Sequence, residues 1–174
     1  MACITTQSLP LDCLESIGGI EVIYSVELSA KASITTDASG KISAMSLNSG
    51  KQFWQYDMRK ETASWATTDT PSNENGTLFF EQLLEFTAFQ MTTTKRTELL
   101  LLKKQISMFI VKDKNARYWL LGEEFGMDYS AGETGTGLAS GDRNGYALSF
   151  TGKERVPAKE IDSSLIAALI LPAA

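Results

Sequence analysis

Apolar side chains recur at every second position along much of this chain, and that period restricts it to a mainly β fold. In IEVIYSVEL (20–28), Ile20, Val22, Tyr24, Val26 and Leu28 share one face, and Glu21, Ser25 and Glu27 share the other with Ile23. Such alternation marks a half-buried strand. ASITT (32–36) and KISAMSL (41–47) flank DASG (37–40), whose Asp, Ser and Gly predict a hairpin turn. ISMFIVKDKNARYWLLG (106–122) reads as strand, DKNA turn, strand, and a third pairing joins EEFGMDYS to YALSFTGKE.

Two longer runs lie between these hairpins. In KQFWQYDMRKETASW (51–65), Trp54, Tyr56 and Met58 point one way and Gln55, Asp57, Arg59 and Glu61 the other. TLFFEQLLEFTAFQM (77–91) carries Glu81 and Glu85 on one face and apolar residues on both. The polar stretch TTDTPSNENG (67–76) predicts a loop between them, so residues 51–91 read as one long extended hairpin. A strand edge of that length invites pairing with another chain, a hazard for a monomer and a means of assembly for an oligomer.

One segment breaks the period. TTTKRTELLLLKKQ (92–105) predicts an α-helix over about 93–105, capped by Thr94, with Lys103 and Lys104 in the last turn to oppose the dipole. Leu99, Leu102 and Ile106 form its apolar stripe, widened by Leu100 and Leu101. Near the C-terminus, the apolar run from Leu165 to Leu171 is far short of the ~20 residues that cross a bilayer. It reads as a terminal strand or short helix docked on an apolar surface.

Composition narrows the function. With 43% hydrophobic and 21% charged residues, the 174-residue chain has the makings of a folded core, read as a single domain, 1–174. There is no histidine, which excludes Ser-His and Cys-His catalysis within one chain. Cys3 and Cys13 are too few for a metal site or a disulfide framework. They read as two reduced thiols, with a single bridge as the alternative. The net charge of −5 argues against broad contact with a nucleic acid backbone. The N-terminus MACITTQSLPLD has neither a basic nor a long apolar region, so no targeting segment is expected.

The stretch SAGETGTGLASGDRNGYALSF (130–150) resembles a phosphate-binding loop only in its glycines. GETGTG is followed by Leu138 and Ala139, where a phosphate loop needs Lys and Ser or Thr and then a helix. Asp142 opens no calcium loop, because the twelfth position is Lys153. Residues 130–141 read as a surface loop, and Asn144-Gly145 as the turn that starts the next strand. Carboxylates are the remaining catalytic groups. Glu81, Glu85, Glu123 and Glu124 would need to form a close pair in a cleft to hydrolyse a glycoside; as a pattern they mark a solvated face. No catalytic residue, cofactor or metal site is assigned.

The order of a helix, the hairpin FIVKDKNARYWLLG, a Gly/Thr loop and GDRNGYALSFTGKE resembles the small tail tube proteins of tailed bacteriophages and prophages, chiefly over residues 92–160. The resemblance implies a β-sandwich or partly open barrel with one flanking helix, and extended N- and C-terminal segments. It also implies a non-enzymatic virion protein of the tail, assembled in the host cytoplasm. Copies would form stacked, hexameric rings whose inner sheets join into a β-barrel that conducts DNA without binding it. Partners would be further copies and other tail proteins, with no membrane and no small-molecule ligand. Gln55, Asp57, Arg59, Glu61, Glu81 and Glu85 are the candidate lumen lining, and Trp54, Tyr56, Met58, Gly135, Gly137, Leu165 and Leu169 the candidate inter-subunit contacts. A head–tail connector or tail terminator ring protein is the nearest alternative. A carbohydrate-binding β-sandwich using Trp54, Tyr56 or Trp119 is the second.

Overall fold

The computed structural model describes Leu9 and residues 14–170; Cys3 and Cys13 lie outside them. The chain runs β1 (Ile20–Glu27), a 3₁₀ turn (Leu28–Ala30), β2 (Lys31–Thr36), β3 (Ile42–Leu47), β4 (Trp54–Asp57), β5 (Ala63–Ser72) and β6 (Thr77–Phe89). It continues through α1 (Thr93–Leu102), β7 (Ser107–Asp113), β8 (Tyr118–Leu121), β9 (Asp128–Gly135), β10 (Gly145–Glu154), β11 (Lys159–Ile161) and α2 (Ser163–Leu169). The strands form a seven-stranded sheet, in the order β2-β3-β11-β8-β7-β1-β4, and a four-stranded sheet, β5-β6-β10-β9. The two pack as a β-sandwich, and neither closes into a barrel.

Burial explains the layering. Strand β7 is apolar on both faces: Phe109 and Val111 enter one core, Met108 and Ile110 another. Strand β1 divides in the same way, with Ile20 and Ile23 in the first core and Val22, Tyr24 and Val26 in the second. The first core lies between the sheets, where Leu84 and Phe86 of β6 meet Tyr146, Leu148 and Phe150 of β10. Phe150 is its centre, with ring centroids 5.0 Å from Phe109, 5.7 Å from Tyr129 and 5.9 Å from Phe86. The second core lies beneath α2, which buries Ile166 and Leu169 against Ile42, Phe53 and Ile161.

The extended hairpin of residues 51–91 is divided in the structure. Strand β4 leaves β5 and pairs antiparallel with β1, setting Trp54 opposite Ser25 and Tyr56 opposite Ile23. The break falls at residues 58–62, where Glu61 takes a left-handed backbone (φ 62°) and the Thr62 hydroxyl donates to the Arg59 carbonyl. The hairpin proper is β5–β6, paired from Ala63–Phe86 to Ser72–Thr77. Residues 67–72, expected in a loop, are therefore strand. Pro71 is tolerated because β5 is an edge and its nitrogen points outward.

The helix is shorter than its sequence pattern. Thr92, not Thr94, caps it by accepting from the Lys95 amide at 3.2 Å. Lys103 and Lys104 follow the last turn, and Leu100 and Leu101 face outward while Leu99 and Leu102 are buried. Within the apolar C-terminal run, Leu165–Leu169 lie in α2, a second helix beside the single flanking one expected.

The connection from β8 to β9 crosses between the sheets and is held by buried polar groups of the four-stranded sheet. Gln82 Oε1 accepts the Gly122 amide at 2.8 Å. The Glu154 carboxylate, 1% exposed, accepts the amides of Glu124, Phe125 and Gly126. Gly126 has φ 80°, and a Cβ there would lie 2.4 Å from Ile106, so glycine is required. Burial raises the Glu154 pKa above the carboxylate range, against the opposing pull of the three amides, and the Glu124 charge adds to the rise. A carboxyl whose pKa rises on folding contributes stability below its unfolded pKa and loses it as pH climbs through the folded value.

Two outcomes are expected. Phe150→Ala should cost about 3–5 kcal/mol in urea denaturation, because it empties the centre of the inter-sheet core. The stability of wild type relative to Glu154→Gln should grow as pH falls toward the ordinary glutamate range and shrink as pH rises above it, measured by thermal melts across pH.

Candidate functional site: an open sheet with two free edges

The outer face of the four-stranded sheet is the most distinctive surface of the fold. Strand β6 turns Gln82, Leu84 and Phe86 to the core, leaving Glu81, Leu83, Glu85 and Thr87 outside. Their cross-strand neighbours are small or polar. Glu85 stands between Ser64 and Ser149, Leu83 between Ala66 and Thr151, and Glu81 between Thr68 and Lys153. A shallow depression crosses all four strands, from Ser64 on β5 through Glu85 and Ser149 to Glu133 on β9. Glu61, Glu85 and Glu133 lie along the depression. Arg143 pairs with Glu133 at 2.8 Å.

Both edges of this sheet present backbone. Antiparallel ladders alternate hydrogen-bonded and non-hydrogen-bonded pairs. The Thr87 amide donates to the Thr62 carbonyl, so the even-numbered residues of β5 face β6. The amides of Trp65, Thr67 and Asp69 therefore point away from the sheet, as does the nitrogen of Pro71. On the other side, Gln90 donates to the Asn144 carbonyl, which directs the odd residues of β10 toward β9. Gly135, Glu133 and Ala131 of β9 answer them, leaving the amides of Gly132 and Thr134 directed outward. Among the described residues, no backbone partner meets either edge.

The structure brings some predicted lining residues together and separates others. Glu81 and Glu85 lie on this outer face, and Glu61 and Glu85 line its depression. Gln55 and Asp57 belong to β4 of the other sheet, where the Gln55 amide donates to Asp57 at 2.8 Å. Arg59 lies in the β4–β5 connection with its guanidinium 5.1 Å from the centre of the Phe89 ring. Glu133 and Lys153 join the face without having been singled out. Alternation in YALSFTGKE marks Lys153, whereas Glu133 is hidden among glycines and hydroxyl residues.

The predicted inter-subunit residues divide as well. Trp54 is 61% exposed on the β4 edge. Tyr56 and Met58 instead pack against the inter-sheet core of their own chain. Leu169 is buried beneath the seven-stranded sheet and Leu165 packs beside it, since helix formation turns both inward. Gly135 ends β9 opposite Gly145. Gly137, with φ 70°, lies in the loop that follows.

The glycine-rich stretch is also corrected. Residues 130–135, expected in a loop, belong to the edge strand β9 (Asp128–Gly135), because their main chain is paired with β10 even where side chains are small. The loop begins at 136 and is shaped by Asp142, whose carboxylate accepts the amides of Leu138 and Ala139 at 2.8 and 2.7 Å. Those bonds hold its pKa below the usual carboxylate range. The four candidate acids form no close pair: Glu123 is bonded to Lys159 and Glu124 to Arg155, and Glu81 and Glu85 stand about 13 Å apart along one strand.

The chain matches no protein-family model, no curated protein and no solved structure. Among the described residues, no helix is long and apolar enough to cross a membrane.

The edge register predicts that Asp69→Pro, at an outward amide, changes stability by under about 1 kcal/mol. Thr68→Pro, which removes a ladder bond to β6, should cost about 3 kcal/mol or more by denaturant titration.

Proposed function

We propose that this protein is a self-assembling structural subunit of the tail tube type, whose copies complete each other's four-stranded sheets. The observation that carries this reading is the pair of open edges on a sheet whose outer face carries carboxylates along a shallow depression. Strand direction alternates across β5-β6-β10-β9, so β9 of one copy and β5 of the next run antiparallel when placed side by side. A head-to-tail ring therefore keeps one uniform ladder and leaves neither edge of the four-stranded sheet open.

The dimensions fit a conduit. Six copies, the ring size implied by the resemblance, supply about 24 strands. At ~4.8 Å between strands and a tilt of about 40°, the backbone barrel is roughly 48 Å across, wider than a DNA duplex after side chains are added. The inward face would be the one bearing Glu61, Glu81, Glu85 and Glu133. Carboxylates there repel phosphate, and the cations of the face stand beside acids, Lys153 next to Glu81 and Arg143 paired with Glu133. In this reading the chain performs no catalysis.

Electron microscopy of the concentrated protein tests the assembly. Open-ended tubes support a tail tube subunit, single rings point to a connector or terminator, and a monomer at all salt and protein concentrations overturns the proposal. Thr134→Pro and Asp69→Pro should each abolish assembly while the monomer stays folded. Glu81→Lys with Glu85→Lys should assemble and retain duplex DNA at low salt, with retention falling steeply as salt rises; wild-type tubes should retain none.

A further inference from the structure

The outer side of β4 has a hydrogen-bonding register that one further segment of the chain fits. In the seven-stranded sheet β4 is a terminal strand, paired on one side with β1. The Met58 amide donates to the Glu21 carbonyl at 3.1 Å, which makes 58–21, 56–23 and 54–25 the hydrogen-bonded pairs of that ladder. The amides and carbonyls of Gln55 and Asp57 therefore point away from β1. Among the described residues, no strand lies beyond them in the sheet.

Phe53, one residue before β4, is already engaged on that outer side. Its amide donates to the Leu169 carbonyl at 2.9 Å, and it forms a parallel bridge with Ile170. Helix α2 thus gives way to extended backbone, with Ile170 at φ −106° and ψ 134°. The bridge sets both the direction and the register of any strand that continues from it. Residues 171–174 lie outside the described ones. In that register Leu171 falls beside Trp54, Pro172 beside Gln55, Ala173 beside Tyr56 and Ala174 beside Asp57.

Two features of the sequence match. A parallel ladder begun by Phe53 and Leu169 continues with the Leu171 amide donating to the Phe53 carbonyl, and the Gln55 amide to the Leu171 carbonyl. The Ala173 amide then donates to the Gln55 carbonyl, and the Asp57 amide to the Ala173 carbonyl. Only residues 171 and 173 use their amides. Proline, which has none, stands at 172, where the nitrogen faces solvent. A shift of one residue would put it at a ladder bond. Paired residues of a ladder also share a face, so Leu171 covers Trp54, an aromatic 61% exposed. Apolar surface of both is withdrawn from water.

We propose that residues 171–174 of the same chain add to β4 as an eighth, parallel strand and close this edge of the sheet. The pairing does not depend on ring formation through β5 and β9. It withdraws the β4 edge from pairing between copies, and it gives Trp54 a contact within the chain in place of one between subunits.

Amide hydrogen exchange, followed by NMR on the dilute, unassembled full chain, tests the pairing. The Gln55 and Asp57 amides should be protected. Ala173→Pro removes a ladder donor and should speed exchange at both by about tenfold or more. The Tyr56 amide, bonded to Ile23, should keep its rate, and Pro172→Ala should leave all three unchanged. As a second measurement, Leu171→Ser should increase acrylamide quenching of the tryptophan emission, because it bares Trp54. Gln55 and Asp57 amides that exchange as fast in wild type as in Ala173→Pro overturn the proposal, as does quenching indifferent to Leu171→Ser. Protection that rises with protein concentration also overturns it, because a strand of a second copy then covers the edge.

Discussion

The two apolar faces of β1 and β7 set the architecture. A strand that buries residues on both sides needs a cover on each, and burying a Phe, Ile or Leu contributes about 1.5–3 kcal/mol apiece. Phe109 and Val111 therefore require the four-stranded sheet above them, and Met108 and Ile110 require α2 below. The four-stranded sheet carries no such double demand. Strand β10 alternates apolar with polar, and β6 does so from Glu81 to Thr87 apart from Leu83, so one face goes to the core and the other is left to water. The exposed outer face follows from that asymmetry.

The sandwich is not held by apolar contact alone. The β8–β9 crossing would bury several amides without partners, and Gln82 and Glu154 supply acceptors from the opposite sheet. Buried amides left unsatisfied would cost about 1–3 kcal/mol each. These two side chains therefore fix where the four-stranded sheet sits on the seven-stranded one, and with it the orientation of the open edges. The edges themselves are restrained against indiscriminate pairing. Pro71 removes one donor at the end of β5, and β9 carries a bulge beside Ser149. A partner strand has to match the amides that remain.

The open sheet offers main-chain groups in a repeating ladder, which suits another copy of the same chain. Tyr56 packs against the inter-sheet core, and its hydroxyl pKa is pushed up to about 12, first by burial and then by the Glu98 charge. It stays neutral at any physiological pH.

Local pattern was enough to locate β1, the β2–β3 and β7–β8 hairpins, α1 and β10, but it took β1 for a half-buried strand with Ile20 beside Val22, whereas the structure buries both of its faces and a register shift puts Ile20 with Ile23. It also placed Glu81 and Glu85 on one face of β6. It did not reveal that β4 leaves its neighbour to pair with β1, since Trp54 and Tyr56 fit equally well opposite any apolar partner. Nor did it expose β9, whose glycines and hydroxyl residues carry no alternation while their main chain is fully paired. The sequence by itself determined a β-rich chain with one main helix, no histidine chemistry and an acidic balance. The tertiary structure alone decided which strands are edges and which acids share a face. Those properties belong to pairs of residues far apart in the chain, and a period of two along one strand cannot encode which distant strand will lie beside it.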